Sequence, residues 1–128
     1  PSTKKQLIKS GLIGKLLEVN NLKIVEPVGY GEMLSLIFDS KFVVTDSGGI
    51  QEEATYLGVP CLTMRTETER PITVEIGTNT VIGFNEEKLQ DNLSQIINKQ
   101  YKKGKIPPLW DGKTAERIIK VIKNGYNL

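Results

Sequence analysis

A strand-like run, Phe42-Val43-Val44-Thr45, leads into Asp46-Ser47-Gly48-Gly49 and then into Ile50-Gln51-Glu52-Glu53 and a helical pattern. Strand, glycine turn and helix in that order make a place for an anion. The first N–H groups of a helix have no intrahelical acceptor, and the helix dipole sets partial positive charge beside them. Gly48 and Gly49 carry no Cβ to hold a phosphate off the backbone, and Ser47 adds a hydroxyl donor, so the three could hold one diphosphate. Ordinary turn chemistry accounts for the same residues equally well, because Asp or Ser commonly precedes a helix and glycine is a common turn residue. Against pure capping stands Ile50, three residues after Ser47, which cannot complete a capping box. Asp46 opposes an anion by its charge unless its side chain turns back into the loop.

Gln51, Glu52 and Glu53 fall in the opening turns of the helix, where the dipole alone favours acids. Glu53 lies four residues after Gly49 and so on the same face, where a carboxylate can accept both hydroxyls of a ribose. The residues alone leave Glu52 and Glu53 open. A second polar segment holds Arg65, Glu67, Glu69 and Arg70, and Lys102, Lys103 and Lys105 form a basic cluster expected to be a solvated loop. The chain has no histidine and one cysteine, Cys61, so the usual zinc and His-based acid–base or nucleophile constellations cannot be assembled from it.

The elements that must position these residues follow from periodicity. Leu7, Ile8, Leu12, Ile13, Leu16 and Leu17 stripe a first helix to about residue 18, bent or broken at Gly11 and Gly14. Leu22 to Glu26, closed by Pro27, predicts a short buried strand. Met33, Leu34, Ile37 and Phe38 predict a helix over about 30–40, and Phe42–Thr45 a fully buried strand. Gly58 ends the helix after the glycine turn. Pro60–Met64 and Thr80–Ile82 predict two more strands, with a short helix started by Pro71 between them. Two striped helices, one on Leu89, Leu93, Ile96 and Ile97 and one on Ile118, Ile119 and Ile122, flank the Pro107-Pro108 region. Alternating strands and helices predict a parallel sheet covered on both faces, a Rossmann-like α/β fold. Because the chain opens with a helix, the first βα unit is expected to lie upstream of Pro1.

At 128 residues the chain suits one domain, and 38% hydrophobic with 25% charged residues is an ordinary globular composition. Seventeen basic against 15 acidic residues leave a net charge of +2, too little to argue for nucleic-acid binding. No apolar run is long enough to span a bilayer, the first residues lack the sections of a secretory signal, and a lone cysteine suits a reducing cytoplasm.

The order and spacing of Thr45-Asp46-Ser47-Gly48-Gly49-Ile50-Gln51-Glu52-Glu53-Ala54, Leu57-Gly58-Val59-Pro60, Met64-Arg65, Thr68-Glu69-Arg70-Pro71 and Gly77-Thr78 resemble the C-terminal half of the non-hydrolysing UDP-N-acetylglucosamine 2-epimerases. The resemblance covers nearly the whole chain, with Pro1 to Lys5 similar to a His-Pro-containing segment and Glu26-Pro27-Val28-Gly29-Tyr30 to a family turn. It implies a GT-B protein in which residues 1–128 are part of the C-terminal, nucleotide-binding domain. It further implies that Ser47, Gly48 and Gly49 hold the diphosphate of UDP, that Glu53 rather than Glu52 holds the ribose, and that Arg70 reaches the nucleotide. Val28 and Met33 match positions lining the uracil pocket, although the family often has an aromatic residue where Met33 stands. Ile72 departs from the family, replacing the acid that commonly follows Arg-Pro.

The family's chemistry interconverts UDP-GlcNAc and UDP-ManNAc by eliminating UDP and adding it back, with no nicotinamide cofactor and no metal. Its proton-transfer residues lie in the N-terminal domain and on a histidine absent here, so no catalytic residue is assigned and the chain alone is expected to be inactive. The implied partners are the UDP-sugar and a missing N-terminal domain or subunit, in a protein that is commonly a homodimer. Two other readings use the same cradle: a GT-B glycosyltransferase domain, disfavoured by the Ser-Gly-Gly-x-Gln-Glu-Glu and Thr-Glu-Arg-Pro pair, and a stand-alone UDP-sugar-binding module.

Overall fold

A computed structural model describes residues 2–126; Pro1, which opens the His-Pro-like segment, and the last two residues lie outside them. Two compact units divide at Met33/Leu34. In the first, helices α1 (Ser2–Lys9) and α2 (Leu12–Leu17) pack on each other, separated where Gly11 takes a left-handed φ of 70°. Lys4 pairs with Glu26, holding that carboxyl below the usual carboxylate range. Helix α3 (Tyr30–Phe38) begins in this unit and continues into the second.

The second unit is built on a three-stranded parallel sheet in the order β1 (Val43–Thr45), β2 (Cys61–Thr63) and β3 (Asn79–Val81), with Val43 opposite Cys61 and Cys61 opposite Asn79. Helix α4 (Gly48–Leu57) crosses from β1 to β2, and α5 (Pro71–Glu75) lies on the way to β3. Each parallel crossover needs such a connection. Helix α4 packs against all three strands, so Ala54 and Thr55 are buried with Leu62, Cys61, Val59 and Ile82. It stops at Gly58, whose φ of 74° is a conformation glycine adopts without a Cβ clash, and the Gly58 N–H caps toward Ala54 and Thr55 carbonyls. Helices α6 (Glu86–Ile97), capped by the Asn85 side chain on Lys88 N, and α7 (Thr114–Tyr126) complete the chain.

The α/β parallel sheet expected from the residues is thus present, with two differences. The predicted strand at Leu22–Glu26 does not form: residues 22–29 are irregular, and Leu22, Ile24 and Val25 are exposed. A strand exists by exchanging N–H and C=O bonds with a neighbour, and this segment has none among the described residues. Strand β1 is not fully buried, since Val44 is 42% exposed on what is an edge of the sheet. Lys102, Lys103 and Lys105 are exposed on an irregular segment, as expected, but the Lys102 ammonium is tied down.

Residues 101–105 form a strap over β3. The Tyr101 hydroxyl donates to the Thr78 carbonyl (2.9 Å) and lies 2.6 Å from Thr80 Oγ1. The Lys102 ammonium donates to the carbonyls of Val74 (2.8 Å) and Asn79, and Lys105 N to the Ile76 carbonyl. Burial pushes the Tyr101 phenol up to about 12 and the Cys61 thiol beneath the strap up to about 11, which makes Cys61 an inert core residue. Among the described residues no helix is long and apolar enough to cross a membrane, and no group of three or more His, Cys, Asp or Glu side chains is placed to hold a metal ion.

Candidate functional site

The glycine turn sits at the carboxyl end of β1, the end at which open α/β sheets bind ligands. Ser47 is the N-cap of α4, in an extended conformation with φ of −81° and ψ of 125°. Its Oγ accepts from Ile50 N at 3.5 Å, the outer limit of a hydrogen bond, so the hydroxyl proton is left to donate. The Ser47 N–H is itself taken by Thr45 Oγ1 at 3.0 Å, which ties the turn to the strand. Gly48 and Gly49 occupy the first two helical positions, where N–H groups have no acceptor a turn behind them. The first turn carries no acid of its own.

The protein itself does not require glycine at either position. A Cβ on Gly48 would come no closer than 3.8 Å to Arg70 Nε, and one on Gly49 no closer than 3.9 Å to Ser47 Oγ, both ordinary contacts. Neither glycine has a positive φ. The space a Cβ would fill is left open to an outside group approaching the backbone.

Arg70, expected from the Thr-Glu-Arg-Pro motif, is brought to this turn: its side chain runs alongside Gly48. Its Nε stands 3.0 Å from Glu52 Oε1. The angle does not make a hydrogen bond, so the contact is one of charge proximity and the Nε–H is unspent. Nη1 donates to the Glu69 carbonyl at 3.3 Å. Glu52 is thereby committed to Arg70, one stripe of α4 running Gly48, Glu52. Glu53, half-buried on the neighbouring stripe four residues after Gly49, has no hydrogen-bond or ion-pair partner among the described residues. Of the two carboxylates that the residues alone left open, Glu52 thus stands beside Arg70 and Glu53 does not.

Val28 and Met33 belong to the first unit, both half-buried. Gly29 joins them: its carbonyl accepts from Met33 N at 2.9 Å and its N–H donates to Glu32 Oε2 at 2.9 Å, capping the start of α3. Asp46 is exposed. It lines a cleft of about 380 Å³ with Met64, Arg65, Thr66 and Phe84, beside the carboxyl ends of the strands. A larger hollow of about 620 Å³, lined by Lys41, Phe42, Pro60 and Thr78, opens at the opposite, amino ends of the strands, where α4 and α6 finish. Helix C-termini disfavour anions, so the size of that hollow does not make it the site.

Sequence reasoning missed what holds Arg70 in place. Gln51 and Asn79 are 1% and 0% exposed. Asn79 Nδ2 donates to Gln51 Oε1 (3.1 Å) and to Thr73 Oγ1 (3.0 Å), and Asn79 Oδ1 accepts from Thr63 Oγ1 (2.6 Å). Thr68 Oγ1 donates to Gln51 Oε1 (2.5 Å) and accepts from Arg70 N (3.0 Å), while Thr73 Oγ1 donates to the Arg70 carbonyl (2.7 Å). The signal available was slight: polar residues in the middle of segments otherwise read as apolar strand and helix.

A family model described as UDP-N-acetylglucosamine 2-epimerase matches residues 1–123. The chain is 46% identical over 125 residues to a UDP-N-acetylglucosamine 2-epimerase of Methanocaldococcus jannaschii, covering 98% of this chain and 34% of that protein. It is 40% identical over 124 residues to one of Methanococcus maripaludis, covering 95% and 33%. The crystal structure of the M. jannaschii UDP-GlcNAc 2-epimerase in complex with UDP-GlcNAc and UDP superposes with a TM-score of 0.83 at 45% identity, over 98% of this chain and 34% of that one. That of the Neisseria meningitidis UDP-GlcNAc 2-epimerase bound to UDP-GlcNAc gives 0.77 at 29%, over 91% and 33%. The chain spans about a third of the length of these relatives.

Proposed function

Since the chain belongs to the UDP-N-acetylglucosamine 2-epimerase family, we propose that it supplies the UDP-binding part of an enzyme interconverting UDP-GlcNAc and UDP-ManNAc. The observation that carries the reading is the helix start at Ser47-Gly48-Gly49, open to close approach and flanked by Arg70, with the unpaired Glu53 one turn further on. The N–H groups of Gly48 and Gly49, the Ser47 hydroxyl and the Arg70 guanidinium hold the diphosphate; the Glu53 carboxylate accepts from the ribose hydroxyls; Val28 and Met33 contribute to the uracil side.

In the elimination direction, the sugar loses its C2 proton to a base, and the anomeric C–O bond breaks with its electron pair passing to the β-phosphate oxygen. The glycal and UDP that result recombine, with the proton returned to the other face of C2. This chain's part is electrostatic. Fixed N–H dipoles and the guanidinium stabilise the charge that builds on the departing diphosphate and need no reorganisation as it does so. The proton transfers belong to residues outside 1–128, in the remainder of the protein or a partner subunit.

Calorimetric or NMR titration of UDP and 2′,3′-dideoxy-UDP into the chain and its Glu53→Ala variant tests the ribose assignment. The variant is expected to bind UDP about 10- to 100-fold more weakly, as hydrogen bonds to a charged group imply, and dideoxy-UDP almost unchanged. Equal losses for both ligands remove Glu53 from the ribose.

A further inference from the structure

The Arg70 main chain is held on both sides by threonine hydroxyls: its N–H by Thr68 and its C=O by Thr73. Both threonines lead inward to the same pair of amides, Thr68 to Gln51 and Thr73 to Asn79, and Asn79 continues to Thr63 on β2. Gln51 belongs to α4, two residues after Gly49, so the helix that presents the cradle and the loop that presents Arg70 share one buried anchor. Resting on the nucleotide-binding reading above, we infer that this network is a positioning device for Arg70, with Thr68 its key residue. It fixes where the guanidinium stands relative to the Gly48 and Gly49 N–H groups and thereby makes the site select a diphosphate.

Two physical points favour this over a merely structural role. Gln51, Asn79, Thr63 and Thr73 are all buried at 1% exposure or less, and a buried polar network contributes no more to stability than a well-packed apolar one of the same shape. What it adds is a single geometry. The Arg70 backbone, with φ of −123° and ψ of 58°, is neither strand nor helix, so no regular element fixes its direction. The two threonine hydroxyl bonds do so, together with the Thr73 N–H, which donates to the Arg70 carbonyl at 3.0 Å, and Pro71, which starts α5 behind it. Thr68 is also half-buried rather than core, and among the described residues its hydroxyl bonds to Gln51 and Arg70 alone. Removing that oxygen unties Arg70 with little disturbance elsewhere.

The test is NMR titration of the full chain with UDP and with uridine, in wild type, Thr68→Val, Thr68→Ser, Arg70→Ala and the Thr68→Val/Arg70→Ala double variant. Thr68→Val is expected to lower UDP affinity about 5- to 30-fold, the range that follows from one buried hydrogen bond lost and its partner left unpaired. Uridine affinity is expected to stay within about twofold, the urea midpoint to fall by up to about 1 M because the Arg70 N–H loses its acceptor, and Thr68→Ser, which keeps the hydroxyl, to bind UDP like wild type. In the Arg70→Ala background Thr68→Val is expected to have no further effect on UDP, since its influence passes through Arg70. Should Thr68→Val unfold, Thr68→Ala is measured in its place with the same expectation. Full retention of UDP affinity in Thr68→Val, equal losses for UDP and uridine, or additive losses in the double variant overturn the positioning role while leaving the nucleotide reading intact. A wild-type chain that binds UDP no more tightly than uridine overturns both.

Discussion

Gly48 and Gly77 show how differently one residue type is used within this chain. A Cβ on Gly77 would lie 2.4 Å from Thr55 Cγ2 and 2.6 Å from the Thr73 carbonyl, so packing requires glycine there; at Gly48 nothing lies closer than 3.8 Å. Gly48→Ala is therefore expected to leave the urea unfolding midpoint unchanged while weakening UDP by roughly tenfold, because the added methyl occupies the space through which phosphate reaches the N–H groups. A variant that loses stability but keeps its UDP affinity would make Gly48 a packing residue. At this scale the sequence was legible where spacing alone decides, as for Ser47, Gly48 and Gly49 at the start of a helix. It left Glu52 and Glu53 open, and the feature that now distinguishes them, Arg70 standing 3.0 Å from Glu52, comes from eighteen residues further on. Gln51 was placed in the helix's opening turns with no role of its own for the same reason: its partners, Thr68 and Asn79, come from two later segments.

Among the elements, helices carried their own signals and strands did not. Gly58 and Pro71 each mark an end that the structure keeps, since caps and fixed φ values are local properties. Leu22–Glu26 has the composition of a strand yet is irregular, whereas β1, β2 and β3, of similar composition, pair. What separates them is a neighbour, and composition does not report neighbours. The strap over β3 was illegible altogether, because Lys102 looks like any surface lysine until two carbonyls, of Val74 and Asn79, are found around its ammonium. The strap's closeness is set by Gly104, where a Cβ would stand 2.5 Å from the Gly77 carbonyl carbon and 2.6 Å from Thr78 N, backbone atoms that cannot swing aside. Gly104→Ala is expected to destabilise the chain by about 1–3 kcal/mol, the usual cost of overpacking, read as a lower urea midpoint. Because Asn79 lies directly under the strap, UDP affinity should fall with it only if the Asn79 network shifts as well; an unchanged midpoint would mean the strap detaches without cost.

For the whole molecule, the buried apolar set among the described residues is short, namely Ile37, Ala54, Val59, Cys61, Leu62 and Ile82, and Phe84, Ile97 and Val121 stay largely exposed. A chain that spans about a third of its relatives and buries so little apolar area is expected to have modest stability on its own. Ligand binding then becomes visible as stability. A ligand that binds only the folded state adds RT ln(1 + [L]/Kd), about 2.7 kcal/mol at a hundred times Kd. With a urea dependence of about 1–3 kcal/mol per molar, UDP at that concentration should raise the unfolding midpoint by roughly 1–3 M, and the shift should shrink in Glu53→Ala and Arg70→Ala. Inorganic phosphate, which meets the cradle but neither the ribose carboxylate nor the uracil side, should need far higher concentrations for the same shift. If UDP leaves the midpoint where it is while the chain remains folded, the helix start at Ser47 is capped for the fold's sake alone, and the even balance that turn chemistry leaves between capping and anion binding falls to capping.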